Sequence, residues 1–186
     1  MNTAVLVIDV QQGLCEGEGA AFDCDATISR INLVTQKARV AGALVIFIQH
    51  ESDSTYLEYG SGAWQLANGL EVESTDTRIR KTTPDAFLRT ELEAVLRSRG
   101  VESVIVCGMH SEFCVDTTTR RALALGFPVV LVADGHTTSG NAAISAQQVI
   151  AHHNATLTNI SSFGPRVHAV TAENVNIAAC GSVASR

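Results

Sequence analysis

The sequence predicts a doubly wound α/β sandwich, and three observations carry that prediction. Apolar runs of strand length, such as Ala4-Val5-Leu6-Val7-Ile8, are continuous rather than alternating, as in a parallel sheet covered on both faces. These runs alternate with segments whose apolar residues fall three or four apart. Hydrophobic residues make up 46% of the 186 and charged residues 17%, a composition that buries a core and excludes a disordered chain. Right-handed crossovers between such strands put helices on both faces of one sheet. The length suits a single domain over residues 1–186.

The elements follow in order. Ala4–Ile8 is a fully buried strand. Ile28, Ile31, Val34, Ala38 and Ala41 define a helix that Gly42 ends. Ala43–Ile48 is a second buried strand, residues 50–76 read as loop, and Thr77–Lys81 as a short edge strand. Thr90 followed by Glu93 has the spacing of a capping box and opens a helix that Gly100 closes. Ser103–Cys107 is a strand, Glu112–Leu125 a helix ended by Gly126, Val129–Val132 a strand, and Ala142–His153 a helix. Thr156–Ile160 reads as the last strand. Beyond about residue 165 no period remains, so residues 166–186 form either a C-terminal arm on another subunit or a fraying end.

Several function classes are disfavoured at once. Thirteen Lys and Arg against nineteen Asp and Glu give a formal charge of −6, which argues against nucleic-acid binding, where clustered cations displace counterions. The run ending at Asp9 is far too short to span a bilayer, and Met1-Asn2-Thr3 lacks the basic segment of a signal peptide. Cys15, Cys24, Cys107, Cys114 and Cys180 contain no CxxC pair and fit a reducing compartment. A cytoplasmic protein is expected. Cys15 and Cys24 flank one loop, where spacing also allows them to pair, and free thiols are the expectation there.

In such sheets ligands bind outside the carboxyl ends of the strands, where strand order reverses. The residues at those ends are Asp9, His50, Lys81, the segment Gly108–Cys114, and Asp134. On position alone Asp9 is either a carboxylate capping a loop amide or a partly desolvated base. A lone Lys81 after a short strand is ordinarily solvated, and a buried Cys is ordinarily a small hydrophobe. Cys114, however, falls in the first turn of the helix after a central strand. Backbone N–H groups and the helix dipole there would stabilise a thiolate and lower its pKa from about 8.5. Lys81 would push the same way, and Asp9 could take the proton.

In combination these residues resemble the isochorismatase-like cysteine hydrolases. The matching stretches are Asp9-Val10-Gln11-Gln12, Arg80-Lys81 with Ala86-Phe87, Cys107–Leu125 and Val129–Thr138. The most specific is Gly108-Met109-His110-Ser111-Glu112-Phe113-Cys114-Val115-Asp116-Thr117-Thr118-Thr119-Arg120-Arg121-Ala122, followed by Gly126-Phe127. The resemblance implies the isochorismatase-like hydrolase fold, a three-layer α/β/α sandwich whose six-stranded parallel sheet has the order 3-2-1-4-5-6. That order would bring Asp9 and Cys114 together at the switch point. It also implies an Asp-Lys-Cys triad, by position Asp9, Lys81 and Cys114, that hydrolyses small amides, ureides and related C–N bonds through a thioester. A non-proline cis peptide at Met109–His110 and an oxyanion hole from the backbone N–H groups of His110 and Cys114 are implied with it. The chemistry would need no cofactor. Its partner would be a small-molecule amide, and relatives are commonly dimers or larger, so a homo-oligomer is expected. The alternatives are a non-catalytic small-molecule-binding or scaffold member of the same fold, and a redox protein using Cys114.

Branches resembling nicotinamidases bind a metal through an Asp and two His after the second strand. Here Gln49-His50-Glu51-Ser52-Asp53 offers only His50 and Asp53, with no further His before Lys81, so no metal site is expected. Isochorismatases proper, which cleave a vinyl ether, tend to lack the cysteine. Gly17-Glu18-Gly19 is no dinucleotide fingerprint, because it does not follow its strand and Phe22 stands at the third Gly position. Trp64 either packs its long loop down or walls the pocket. Leu14 and Phe113 are further pocket candidates.

Overall fold

The structure, a computed structural model, describes residues 2–53 and 56–178. Its strands are β1 (Thr3–Ile8), β2 (Leu44–His50), β3 (Thr77–Lys81), β4 (Ser103–Met109), β5 (Val129–Thr137) and β6 (Val167–Val170). They pair all-parallel in the order β3-β2-β1-β4-β5-β6, the order the resemblance implied. The helices are α1 (Gln12–Cys15), α2 (Cys24–Val40), α3 (Leu92–Ser98), α4 (Asp116–Ala124) and α5 (Ala146–Thr158), with a π-helical turn at Ser111–Val115 running into α4.

The continuous apolar strands divide by the period-two alternation of side chains. Ala4, Leu6 and Ile8 of β1 join Ile46, Ile48 and Ile79 on one face, beneath Leu92, Leu96, Ala122, Leu123 and Leu157 of α3, α4 and α5. Val5 and Val7 turn to the other face with Val45 and Phe47, beneath Ile28, Ile31, Val34 and Ala38 of α2. Both faces are therefore covered, as the unbroken hydrophobicity required. Gly42 closes α2 as expected, at φ 71, and Ala43 N–H donates back to the Ala38 carbonyl at 2.8 Å.

From β1 the chain moves outward through β2 to β3, then returns to lay β4 on the free side of β1. The crevice of such a sheet opens between β1 and β4, past their carboxyl ends. There Gly108 sits opposite Ile8 with φ 118, and a Cβ on it would lie 2.1 Å from the Ile8 carbonyl oxygen. Only glycine allows the two strand ends to approach so closely. Gly108→Ala combines a positive-φ penalty with a backbone collision, and is expected to cost about 3 kcal/mol in urea unfolding. A loss below about 1 kcal/mol would mean that the strands separate without consequence.

The carboxyl-terminal third departs from the sequence reading. Thr156–Ile160 is not the last strand: residues 156–158 are the final turn of α5. That helix starts at Ala146, not Ala142, on a capping box in which Ser145 Oγ accepts from Gln148 N–H and Gln148 Oε1 accepts from Ser145 N–H. Once nucleated it continues because Val149 and Leu157 lie buried on one face two turns apart, and this burial overrides local β propensity. The last strand is instead Val167–Val170, pairing with Val129–Val132 at the sheet edge. The segment read as an arm thus packs on the same sheet over residues 167–175. Lys37 Nζ of α2 donates to the carbonyls of Ala172 (3.0 Å), Glu173 (2.6 Å) and Val175 (3.2 Å). Residues 179–186 lie outside the described residues. The Thr90–Glu93 capping box is also replaced: α3 begins at Leu92, Thr90 Oγ1 accepts from Leu92 N–H at 3.3 Å, and Glu93 pairs with Arg97. Among the described residues no helix is long and apolar enough to cross a membrane.

Candidate active site

Three strand ends bring the polar residues together. Asp9 follows β1 with φ 53 and is buried, its N–H held by the Ile48 carbonyl at 2.8 Å. Lys81 closes β3 with its side chain fully buried. Cys114 lies in the π-helical turn after β4. The Lys81 ammonium donates to Asp9 Oδ2 at 2.7 Å, Cys114 Sγ at 3.3 Å and the Thr83 carbonyl at 3.0 Å, and lies 3.2 Å from His50 Nδ1. Asp9 Oδ1 is buried without a hydrogen-bond partner among the described residues. A buried carboxylate with an orphan oxygen beside a thiol is an available proton acceptor.

The supporting contacts fix this arrangement. The Phe113 and Val115 N–H groups both donate to the His110 carbonyl, at 3.1 and 3.2 Å, closing the turn on either side of Cys114. The Met109–His110 peptide bond is cis. Buried Gln11 joins the ends of β1 and β2, donating to the carbonyls of His50 (2.9 Å) and Trp64 (2.8 Å) while its Oε1 accepts from His50 N–H (2.9 Å). Thr118 Oγ1 of α4 accepts from Ala86 N–H at 3.1 Å and so ties the helix after Cys114 to the loop after Lys81.

The expected lowering of the Cys114 pKa is not found. Burial pushes the thiol up to about 12, the Asp9 carboxylate adds to the rise, and the Lys81 ammonium opposes it. α4 begins only at Asp116, so Cys114 lies in the π-helical turn before it and not in the first turn of an α-helix. Burial and the neighbouring carboxylate thus favour the thiol over the thiolate.

Asp9, His50 and Cys114 place their ligand atoms within 4.8 Å of one another, a spacing that a metal ion would accept. The Lys81 ammonium already contacts all three, so the cation of this cluster is the lysine. Asp53, weighed with His50 as a ligand, lines a different hollow with Glu58 and Tyr59.

A cavity of about 190 Å³ opens over the thiol. Leu14 and Phe113 line it together with Met109 and His110. Trp64 does not line it. Its ring packs edge-on against Tyr59 with centroids 4.9 Å apart, and its carbonyl accepts from Gln11 and Gln49. The Trp64 ring thus packs within its own loop, against Tyr59. Sequence reasoning missed Leu57, which lines the cavity from a loop with no periodicity. Cys15 and Cys24 are free thiols.

A second buried chain of groups supports the cysteine turn. Ser111 Oγ lies 2.7 Å from His136 Nδ1, and His136 Nε2 lies 3.1 Å from Asn154 Oδ1. Asn154 Nδ2 donates to the Ala133 carbonyl at 2.9 Å, which fixes the amide orientation. His136 Nε2–H therefore donates, and Nδ1 accepts from the Ser111 hydroxyl. Ser111 is fully buried, so this chain positions the turn against β5 and α5. Burial holds His136 down at about 4, from an ordinary 6.5. The folded state prefers the neutral ring, so the stability it contributes is full above pH 6.5 and is lost as pH falls through about 4. Urea titrations over that window should show a loss of about 3 kcal/mol that His136→Gln flattens. An equal slope in the variant would assign the acid sensitivity to other groups.

Fold and site together define a class: an open parallel α/β protein with a buried Asp-Lys pair against a thiol at its switch point. The chain belongs to the isochorismatase family, whose Isochorismatase domain matches residues 3–164. It is 37% identical over 136 residues to a streptothricin hydrolase of Streptomyces noursei, covering 73% of this chain and 49% of that protein. It is 27% identical to the ureidoacrylate amidohydrolase RutB of Variovorax paradoxus, covering 80% of this chain and 73% of that one. The crystal structure of an isochorismatase family protein superposes with a TM-score of 0.83 at 34% identity, covering 91% of this chain and 98% of that chain. The chain spans about half the length of the streptothricin hydrolases it matches.

Proposed function

We propose that the protein hydrolyses a small amide, ureide or related C–N bond, with Cys114 as nucleophile, Asp9 as acid and base, and Lys81 as the fixed cation. One observation carries this reading: a fully buried ammonium that touches both Asp9 Oδ2 (2.7 Å) and Cys114 Sγ (3.3 Å). A structural ion pair would not require the thiol. As Sγ bonds to the substrate carbonyl carbon, its proton passes to Asp9, and Lys81 stabilises the sulfur as it loses that proton. The His110 and Cys114 N–H groups hold the tetrahedral oxyanion. Its collapse breaks the C–N bond, and the departing nitrogen takes the proton from Asp9. Water then adds to the thioester, giving one proton to Asp9, which returns it to sulfur as the acid leaves. The relatives named as hydrolase and amidohydrolase support the same bond class.

The test is a panel of small primary amides and ureides with ammonia release measured against acid formed. Equimolar ammonia and acid from at least one compound is the expected result. Saturable binding across the panel with no release would instead favour a non-catalytic binding protein.

A further inference from the structure

Among the described residues, the cavity over Cys114 offers an incoming molecule no free cation. Leu14, Leu57, Met109 and Phe113 are its apolar walls, and Asp9, Cys114, His50 and His110 complete the lining. The Lys81 ammonium has three protons and already faces four partners: Asp9, Cys114, the Thr83 carbonyl and His50. Burial holds His50 and His110 below the ordinary imidazole value, and the Lys81 ammonium pushes His50 down further, so neither ring is favoured as a cation. Arg78, Arg80 and Arg89 gather around a separate hollow with Glu51 and Glu91. A carboxylate entering the cavity would lose its hydration next to Asp9, whose charge already offsets that of Lys81, and would meet no ammonium proton left to donate.

A second observation concerns His110. Its Nε2 is buried and has no hydrogen-bond partner among the described residues, whereas both ring nitrogens of His136 are engaged. His110 lines the cavity, and a ring rotation that brings this unpaired atom to the opening would let an entering group complete it.

We infer that the substrate is an uncharged amide with an apolar remainder seated against Leu14, Leu57, Met109 and Phe113, and with one hydrogen-bonding group that meets His110 Nε2. The word amide rests on the proposed hydrolase reading; the selection against anions does not.

Two measurements test this and keep the two claims apart. Iodoacetamide and iodoacetate alkylate a thiol by the same displacement of iodide and differ in charge. Their rates at Cys114 in the native protein, read by peptide mass spectrometry, are divided by their rates at a small free thiol. High salt screens the net charge of −6. Cys114 should favour iodoacetamide at least about tenfold beyond the free thiol, since a charge buried without a partner is costly. A ratio equal to or below that of the free thiol overturns the inference, whatever the protein hydrolyses. The second measurement compares kcat/KM for uncharged amides with that for carboxylated analogues of equal size, in wild type and in His110→Ala. Uncharged amides should be preferred, and His110→Ala should raise KM with kcat changed less. Carboxylated amides turned over equally well overturn the inference while leaving the hydrolase reading intact. An unchanged KM overturns the His110 contact. A high alkylation ratio without turnover of any amide supports anion exclusion and removes the hydrolase reading.

Discussion

Cys114→Ser lowers turnover by about 10⁴-fold or more, while unfolding free energy stays within about 1 kcal/mol of wild type. The oxygen is close in size to the sulfur and sits in the same turn, so packing and backbone contacts survive. The chemistry does not. A serine hydroxyl is far less acidic than even this raised thiol, and a carboxylate such as Asp9 is too weak a base to take its proton at a useful rate. Kinetics and urea unfolding on the same preparation check both halves. A variant that folds normally and keeps more than a few per cent of turnover would remove Cys114 from the nucleophile's role.

Asp9→Asn produces the largest expected loss of stability, about 3–5 kcal/mol, together with loss of turnover. Lys81 and Asp9 side chains are 0% and 2% exposed, so removing one charge strands the other away from water. Their mutual attraction offsets the desolvation of both, which makes either single substitution worse than the double. The Asp9→Asn/Lys81→Met double variant should therefore recover part of the lost stability and none of the turnover. Denaturant midpoints for the four proteins check the coupling. Additive single losses would show that the two groups do not depend on each other electrostatically.

Much of this was legible in the sequence, for identifiable reasons. Ala4–Ile8 and Ala43–Ile48 could be read because strands buried on both faces need unbroken hydrophobicity. Asp9, Lys81 and Cys114 each had an ordinary structural reading at a strand end, and stood out only in combination, through the resemblance to the isochorismatase-like hydrolases. The end of the chain was misread because Thr156–Ile160 carries no local mark separating a strand from the last turn of a helix. What decided it was the Ser145–Gln148 capping box upstream and the burial of Leu157. Val167–Val170 is too short to show a period. The state of the Cys114 thiol was misjudged for a different cause: sequence position suggests a helix start, but only the fold shows how deeply the sulfur is buried and that a carboxylate lies beside it. The pairing of Ser111 with His136 and Asn154 joins three elements and leaves no trace in spacing.

The central claim is that Cys114 carries the acyl group between the two halves of the reaction. Rapid quenching during turnover of an amide, followed by peptide mass spectrometry, tests it directly. The account predicts that the peptide containing Cys114 gains the mass of the acyl group, that hydroxylamine removes it, and that it forms and decays fast enough to account for turnover. Steady turnover with Cys114 unmodified at every quench time, under conditions in which the added acyl thioester is shown to survive, would contradict it.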